Sequence, residues 1–303
     1  MKLGLLSAIL ENMTYEEVID TASELGYESV ELACWPRGEG GRRYAGTSHI
    51  DVNTLTIESC RQILSYASSK NIEIQALGYY PNPLDPDKEK SDAAFKHIKS
   101  LIEGASLLKI NRISTFIGRD KNKTIEENLE IFSHLWPEII SYAEKFKVQV
   151  AIENCPMYFS KDEWPGGLNL ASSPFIWKKM FEIIDSPFFG LSYDPSHLYL
   201  QRMDYISPLK DFKDKIFHIH LKDIAIDEKL INEHGIFTHP LNYMNPRIPG
   251  RGGINWKEFI SVLKKTGFSN CACVEIEDKD YEDNGESILK ALKESYEFIK
   301  PLM

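Results

Sequence analysis

"IFHIHLKD", residues 216–223, alternates with the two-residue period of a β-strand, but His218, His220 and Lys222 share one face of it. An imidazole or an ammonium that turns inward must find a partner there, because burying an unpaired polar group is costly. Seven further runs rich in branched residues read as strands: 2–7, 28–33, 72–78, 111–117, 148–154, 188–194 and 271–277. Amphipathic stretches lie between them. "TYEEVIDTASELG" offers Thr14 and Glu17 as a capping box and Gly26 as a stop, and "TIEENLEIFSHLWPEIISYAEKF" predicts a long helix interrupted or bent at Pro137. About 30 residues after the seventh strand read as an irregular, Gly/Pro/Asn-bearing excursion before "NWKEFISVLKKTG" restores the rhythm. Eight βα units in 303 residues predict a single domain over 1–303: an α/β, (β/α)8 TIM barrel with a long insertion after the seventh strand.

Composition narrows the function. The formal net charge of −10 gives no general attraction to a phosphate backbone, so nucleic acid is a disfavoured partner. Cys34, Cys60, Cys155, Cys271 and Cys273 are odd in number and lack the spacing of a disulfide scaffold, which fits a reducing cytoplasm. The apolar start "MKLGLLSAILEN" is broken by Glu11 and Asn12 too soon for a membrane span or a convincing signal peptide. The expectation is a soluble cytoplasmic protein that binds no membrane.

Active sites of this architecture sit where strands end and βα loops begin. Glu31, Glu153, Asp194, His220 and Glu275 occupy such strand ends. Taken singly, each has an ordinary explanation: Glu153 in "AIEN" as a cap or surface acid, Asp194 and His197 in "YDPSH" as a capped turn, either histidine of "HIH" as a satisfied core group. Together they put several acids into one mouth, where they repel one another without a counter-charge. Two glutamates, one aspartate and one histidine from four successive strands form an oxygen-rich, single-nitrogen shell. It suits Mn²⁺, Mg²⁺ or Co²⁺ and tolerates Zn²⁺.

The motifs "AIENCPM" (151–157), "DEWPGG" (162–167), "YDPSHL" (193–198), "FHIHLKD" (217–223), "PGRGGINW" (249–256) and "VEIED" (274–278) resemble those of the xylose isomerase-like TIM barrels. The branch they resemble holds sugar phosphate isomerases and epimerases, ketose 3-epimerases and inosose dehydratases. The resemblance implies metal ligands at Glu153, Asp194, His220 and Glu275. It implies a substrate-facing His197, and an Arg247 near the substrate's oxygens. In the epimerases it resembles, the two metal-bound glutamates exchange protons, which implies Glu153 and Glu275 as the catalytic pair. His218 and Lys222 then line the same interior face as His220, and Lys222 counts among the substrate-side residues.

The implied chemistry is a divalent-metal-dependent sugar isomerase or epimerase, Mn²⁺ being the first choice of ion, working through an enediolate. Expelling a β-hydroxyl from that enediolate gives dehydration instead, so an inosose dehydratase-like lyase is the alternative. A metal-dependent abasic-site endonuclease and a noncatalytic sugar-binding protein stand as alternatives of other classes. For substrate contacts, Trp35, Asn82 and Trp164 are the loop candidates, against an equal reading of the tryptophans as packing anchors. The stretch "WPRGEGGRRYAGTSHID" offers Arg37, Arg42, Arg43 and His49, either as a loop over the mouth with a phosphate site or as a solvated loop. "GRGG" at 250–253 lacks the strand-to-helix context of a dinucleotide fingerprint. The expected partner is a small sugar or polyol, and a homo-oligomer is compatible with the sequence.

Overall fold

A computed structural model describes residues 1–36, 45–157, 167–282 and 284–303. Ten strands are present among them: β1 (Lys2–Leu6), β2 (Ser29–Ala33), β3 (Glu73–Gly78), β4 (Arg112–Thr115), β5 (Gln149–Glu153), β6 (Phe189–Tyr193), β7 (Ile216–Leu221), β8 (Asp223–Ile226), β9 (Met244–Arg247) and β10 (Cys271–Val274). Eight of them close into a parallel barrel in the order β1-β10-β7-β6-β5-β4-β3-β2. Every expected strand is therefore in the barrel. The strands read as apolar runs because helices cover their outer faces while side chains fill the lumen, so both faces are buried. Leu3, Leu5, Val30, Leu32, Ile113, Val150, Ile152, Leu191, Ile219 and Val274 all join one core with the helices outside.

Local signals set the helix bounds. Helix α1 (Tyr15–Glu24) begins with Thr14 and Glu17 capping each other's backbone, and Gly26 takes a left-handed φ of 86° beyond its end. The helix over Ile125–Phe146 has the same box from Thr124 and Glu127 and runs through Pro137 without interruption. Its buried Leu129, Phe132, Trp136, Ile139, Ile140 and Ala143 hold one face against the core, so packing outweighs the lost backbone donor. No helix among the described residues is long and apolar enough to cross a membrane.

The segment after β7 differs from the irregular excursion expected. It carries an antiparallel ribbon in which Asp223 pairs with Arg247 and Ile226 with Met244, and a short helix (Glu228–His234) lies between the two strands. Leu200, Ile224 and Tyr243 form a small core beneath it. Its anchor is Asp223, fully buried: Oδ1 accepts from Ile224 N (2.9 Å) and Ile254 N (3.1 Å), and Oδ2 from Gly250 N (3.0 Å) and Trp256 Nε1 (2.8 Å). One carboxylate thus binds the "LKD" end of β7 to "PGRGGINW". The fit requires a bare backbone, since a Cβ on Gly252 would lie 2.1 Å from Asp223 Oδ1.

Replacing Asp223 with Ala strands four donors. Hydrogen bonds to a charged group contribute ~1.5–3 kcal/mol each, so we expect at least ~3 kcal/mol of lost stability, read as a reduced midpoint in urea unfolding. An unchanged midpoint would show that the anchor does not hold the ribbon.

Candidate active site

The barrel's register aims the expected side chains inward. Glu153 is the last residue of β5, Asp194 follows β6, His220 is on β7 and Glu275 follows β10. Pairing places Glu153 opposite Ser192, Ser192 opposite His218, and His220 opposite Cys273, so these positions share the lumen-facing phase of neighbouring strands. Glu153, Asp194, His220 and Glu275 are all buried. Asp194 also caps the short helix Pro195–Leu200 by accepting from Ser196 N at 2.8 Å. Asn154 clamps it, accepting from Asp194 N (2.8 Å) and donating to Asp194 O (2.9 Å). The "EN" pair therefore does two tasks: Glu153 enters the mouth while Asn154 fixes the next strand's acid.

Three of the four expected ligands converge. His220 Nδ1 lies 3.8 Å from Glu153 Oε1 and 3.6 Å from Glu275 Oε2, and one ligand atom from each of the three residues lies within 4.8 Å of the others. These gaps are too long for hydrogen bonds. They suit groups that share a cation, since ligand atoms each ~2.0–2.6 Å from one ion stand a few ångströms apart. His220 Nδ1 is buried without a hydrogen bond, and Glu275 Oε2 and Asp194 Oδ2 are buried without an aligned one, with the Lys222 and His197 side chains beside them, so a divalent ion could draw on lone pairs of all three. The donor set fits a divalent ion.

Asp194 reaches that group through two cationic side chains. His197 Nε2 stands 3.2 Å from Asp194 Oδ2 and 3.3 Å from Glu153 Oε1. Lys222 Nζ stands 3.3 Å from Asp194 Oδ2, 3.1 Å from Glu275 Oε2 and 3.1 Å from Glu277 Oε2. The ammonium is buried, and although burial disfavours its charge, Glu275, Glu277 and Asp194 hold its pKa well above the ordinary value. Burial and the charges of Glu153 and Glu277 push the Glu275 carboxyl up to about 7, against the pull of Lys222 and His220. Burial acts on Glu153 in the same sense, but the His197 hydrogen bond and the charges of His220 and Lys222 hold it at about 2. Two neighbouring glutamates thus hold protons over different pH ranges.

Glu31 ends the second expected strand and lies outside the expected ligand shell. The structure sets it across the lumen against both histidines of "HIH". Its Oε2 accepts from His220 Nε2 at 2.9 Å and lies 2.7 Å from His218 Nε2, and Tyr80 donates its hydroxyl to Oε1. Nothing local in the sequence signals this cluster, because β1 and β10 separate β2 from β7 in the barrel.

The substrate-side candidates divide. His197 and Lys222 face the acids as described. Arg247 Nη1 pairs with Asp278 Oδ1 (3.2 Å) and Asp280 Oδ2 (2.6 Å), beside the loop after β10. Trp35 packs edge-on against Tyr79, with ring centroids 4.8 Å apart. Asn82 spends both ends of its amide on Arg119, donating to its carbonyl (3.0 Å) and accepting from its N–H (2.7 Å). His49 is buried, with Nδ1 3.2 Å from Met13 O and Nε2 3.1 Å from Ser7 O. Trp164, Arg37, Arg42 and Arg43 lie outside the described residues.

Fold and site together define a (β/α)8 barrel with a His/Glu cluster able to hold a divalent metal. The family model described as xylose isomerase-like TIM barrel matches residues 19–302, and the chain belongs to that family. It is 25% identical over 300 residues to the uncharacterized protein YfiH of Bacillus subtilis (strain 168), covering 92% of this chain and 93% of that one. Over 106 residues it is 34% identical to an inosose dehydratase of Bacillus licheniformis, covering 34% of this chain and 35% of that one. Among solved structures, the IOLI protein with a bound zinc atom superposes with a TM-score of 0.73 at 18% identity, covering 100% of this chain and 99% of that one. D-psicose 3-epimerase with D-tagatose from Clostridium cellulolyticum H10 gives 0.70 at 15% identity, with coverage of 100% and 99%. At those identities the likeness speaks for the fold. The family is one of enzymes, epimerases and dehydratases among them.

Lys222→Met tests the electrostatics. Removing one partner of a buried ion pair costs ~3–5 kcal/mol, so the variant should melt well below the parent in EDTA. Added Mn²⁺ should recover much of that loss by supplying the charge that Lys222 gave. Equal losses with and without the ion would show that the lysine and a metal do not serve the same carboxylates.

Proposed function

We propose that the chain is a divalent-metal-dependent isomerase or epimerase that moves a proton at the carbon beside the carbonyl of a small sugar, phosphorylated or not. The observation that carries this reading is the approach of Glu153 and Glu275 to His220 Nδ1 from opposite sides of β7. Glu153, Asp194, His220 and Glu275 would hold the ion, Mn²⁺ by its preference for oxygen-rich sets, and it would polarise the sugar's carbonyl and neighbouring hydroxyl oxygens. Glu153, ionised, would take the C–H proton on one face, the electron pair passing to the carbonyl oxygen to leave an enediolate. Glu275 would deliver a proton on the opposite face, which inverts the carbon. His197 and Lys222 would face a substrate hydroxyl. Arg247 and Trp35 are the outer contacts of this proposal. The five unpaired thiols and the acid surface support a cytoplasmic enzyme of small molecules.

The partial likeness to an inosose dehydratase favours a second reading. There the same base removes the proton and a β-hydroxyl leaves, so water is lost and no carbon is inverted. Ketoses, aldoses and inososes incubated in D₂O with Mn²⁺ and followed by NMR separate the two: epimerisation puts deuterium on carbon in an isomer, and dehydration yields an unsaturated ketone.

Glu153→Gln and Glu275→Gln should each lose ~10²–10⁴-fold in turnover while retaining most of the bound metal. At least one should keep partial exchange of the substrate C–H with D₂O, because a single remaining base can still work on one face. Near-parental turnover in both metal-loaded variants would contradict the two-base reading.

A further inference from the structure

His220 turns two nitrogens in opposite directions, Nδ1 toward Glu153 and Glu275 and Nε2 toward Glu31. A ring free to flip could present either edge, so something must hold it. We propose that Glu31 is a positioning residue: its Oε2 keeps the proton of His220 on Nε2 and thereby leaves the Nδ1 lone pair facing the Glu153–Glu275 pair, ready for a cation. The inference rests on the reading that those residues hold a divalent ion.

The Glu31 carboxylate has no freedom to do otherwise. It is fully buried, Tyr80 occupies Oε1, and both histidines of β7 crowd Oε2. Tyr80 is itself packed on Phe116, with ring centroids 5.0 Å apart. The β3 backbone comes so close that a Cβ on Gly78 would lie 2.5 Å from Glu31 Oε1. Glycine there leaves room for the carboxylate and for nothing more. Because the contact spans the lumen from β2 to β7, it does not follow from strand pairing, and the whole barrel must close to make it. A carboxylate behind a ligating imidazole fixes its tautomer and raises its basicity, and losing such a partner typically lowers metal affinity ~10–100-fold. Glu31, His218 and His220 also come near enough to suggest a second ion site, but the Tyr80 hydroxyl on Oε1 and the His220 Nε2 hydrogen bond of 2.9 Å on Oε2 already satisfy the carboxylate.

Histidine-¹⁵N NMR of the Zn²⁺-loaded protein, with Mn²⁺ affinity measured by EPR titration on parent and Glu31→Gln, tests the proposal. We expect His220 in the parent to carry its proton on Nε2 with none on Nδ1. We expect Glu31→Gln to bind Mn²⁺ ~10–100-fold more weakly and to shift the His220 nitrogen resonances. A parent that binds no divalent ion would overturn the metal reading and this inference with it. A parent that binds the ion with the proton on Nδ1, or a variant with unchanged affinity and resonances, would overturn the role of Glu31 alone. Should Glu31→Gln not fold, the parent's spectrum decides.

Discussion

Four carboxylates buried at one end of a barrel cannot stand there without positive charge, and the rest of this structure can be read as the answer to that constraint. Glu31, Glu153, Asp194 and Glu275 come from β2, β5, β6 and β10, each brought inward by the two-residue period of its strand. Lys222, His197 and His220 are distributed among them so that every acid has a cationic or imidazole neighbour. Three basic groups thus serve four acids, and several buried atoms remain without aligned hydrogen bonds. That shortfall separates this cluster from a salt-bridge network kept only for stability, since a purely structural network would satisfy its lone pairs.

Much of this was legible in the sequence. The barrel could be read because parallel strands buried on both faces leave apolar runs and because the helices between them cap themselves locally, as Thr14 with Glu17 does. The metal candidates could be read because strand ends in a barrel converge, so residues distant in sequence share a mouth. Other features had no local signal. The Glu31–His220 contact spans the lumen, and no pattern within either strand announces it. Asp223 closes the run "IFHIHLKD", but three of its four donors come from 27 to 33 residues further along the chain. The ribbon strand Met244–Arg247 includes Pro246, which argues against a strand except at a sheet edge, and an edge is where it lies. Asn82 and His49 have the chemistry of substrate contacts, but sequence cannot tell a polar side chain aimed at a ligand from one that ties two loops together.

The division of labour is also physical. Side chains that hold the mouth in shape spend their hydrogen-bonding capacity inside the fold, Asn154 and Asn82 on backbone and Asp223 on backbone and the Trp256 indole. Glu275 and His220 Nδ1, both proposed for chemistry, leave part of theirs unspent. A preorganised site of this kind gains rate because its charges need not reorganise when the substrate's own charge develops.

The central claim is that the acids and His220 close on a single ion. Crystals soaked in Mn²⁺ and measured at the manganese absorption edge test it most directly. The account predicts one anomalous peak ~2.0–2.6 Å from Glu153, Asp194, His220 Nδ1 and Glu275, with the Lys222 ammonium drawn away from Asp194 to make room. A peak more than ~6 Å from these side chains, far beyond direct ligation, or none there at full soaking, would contradict it.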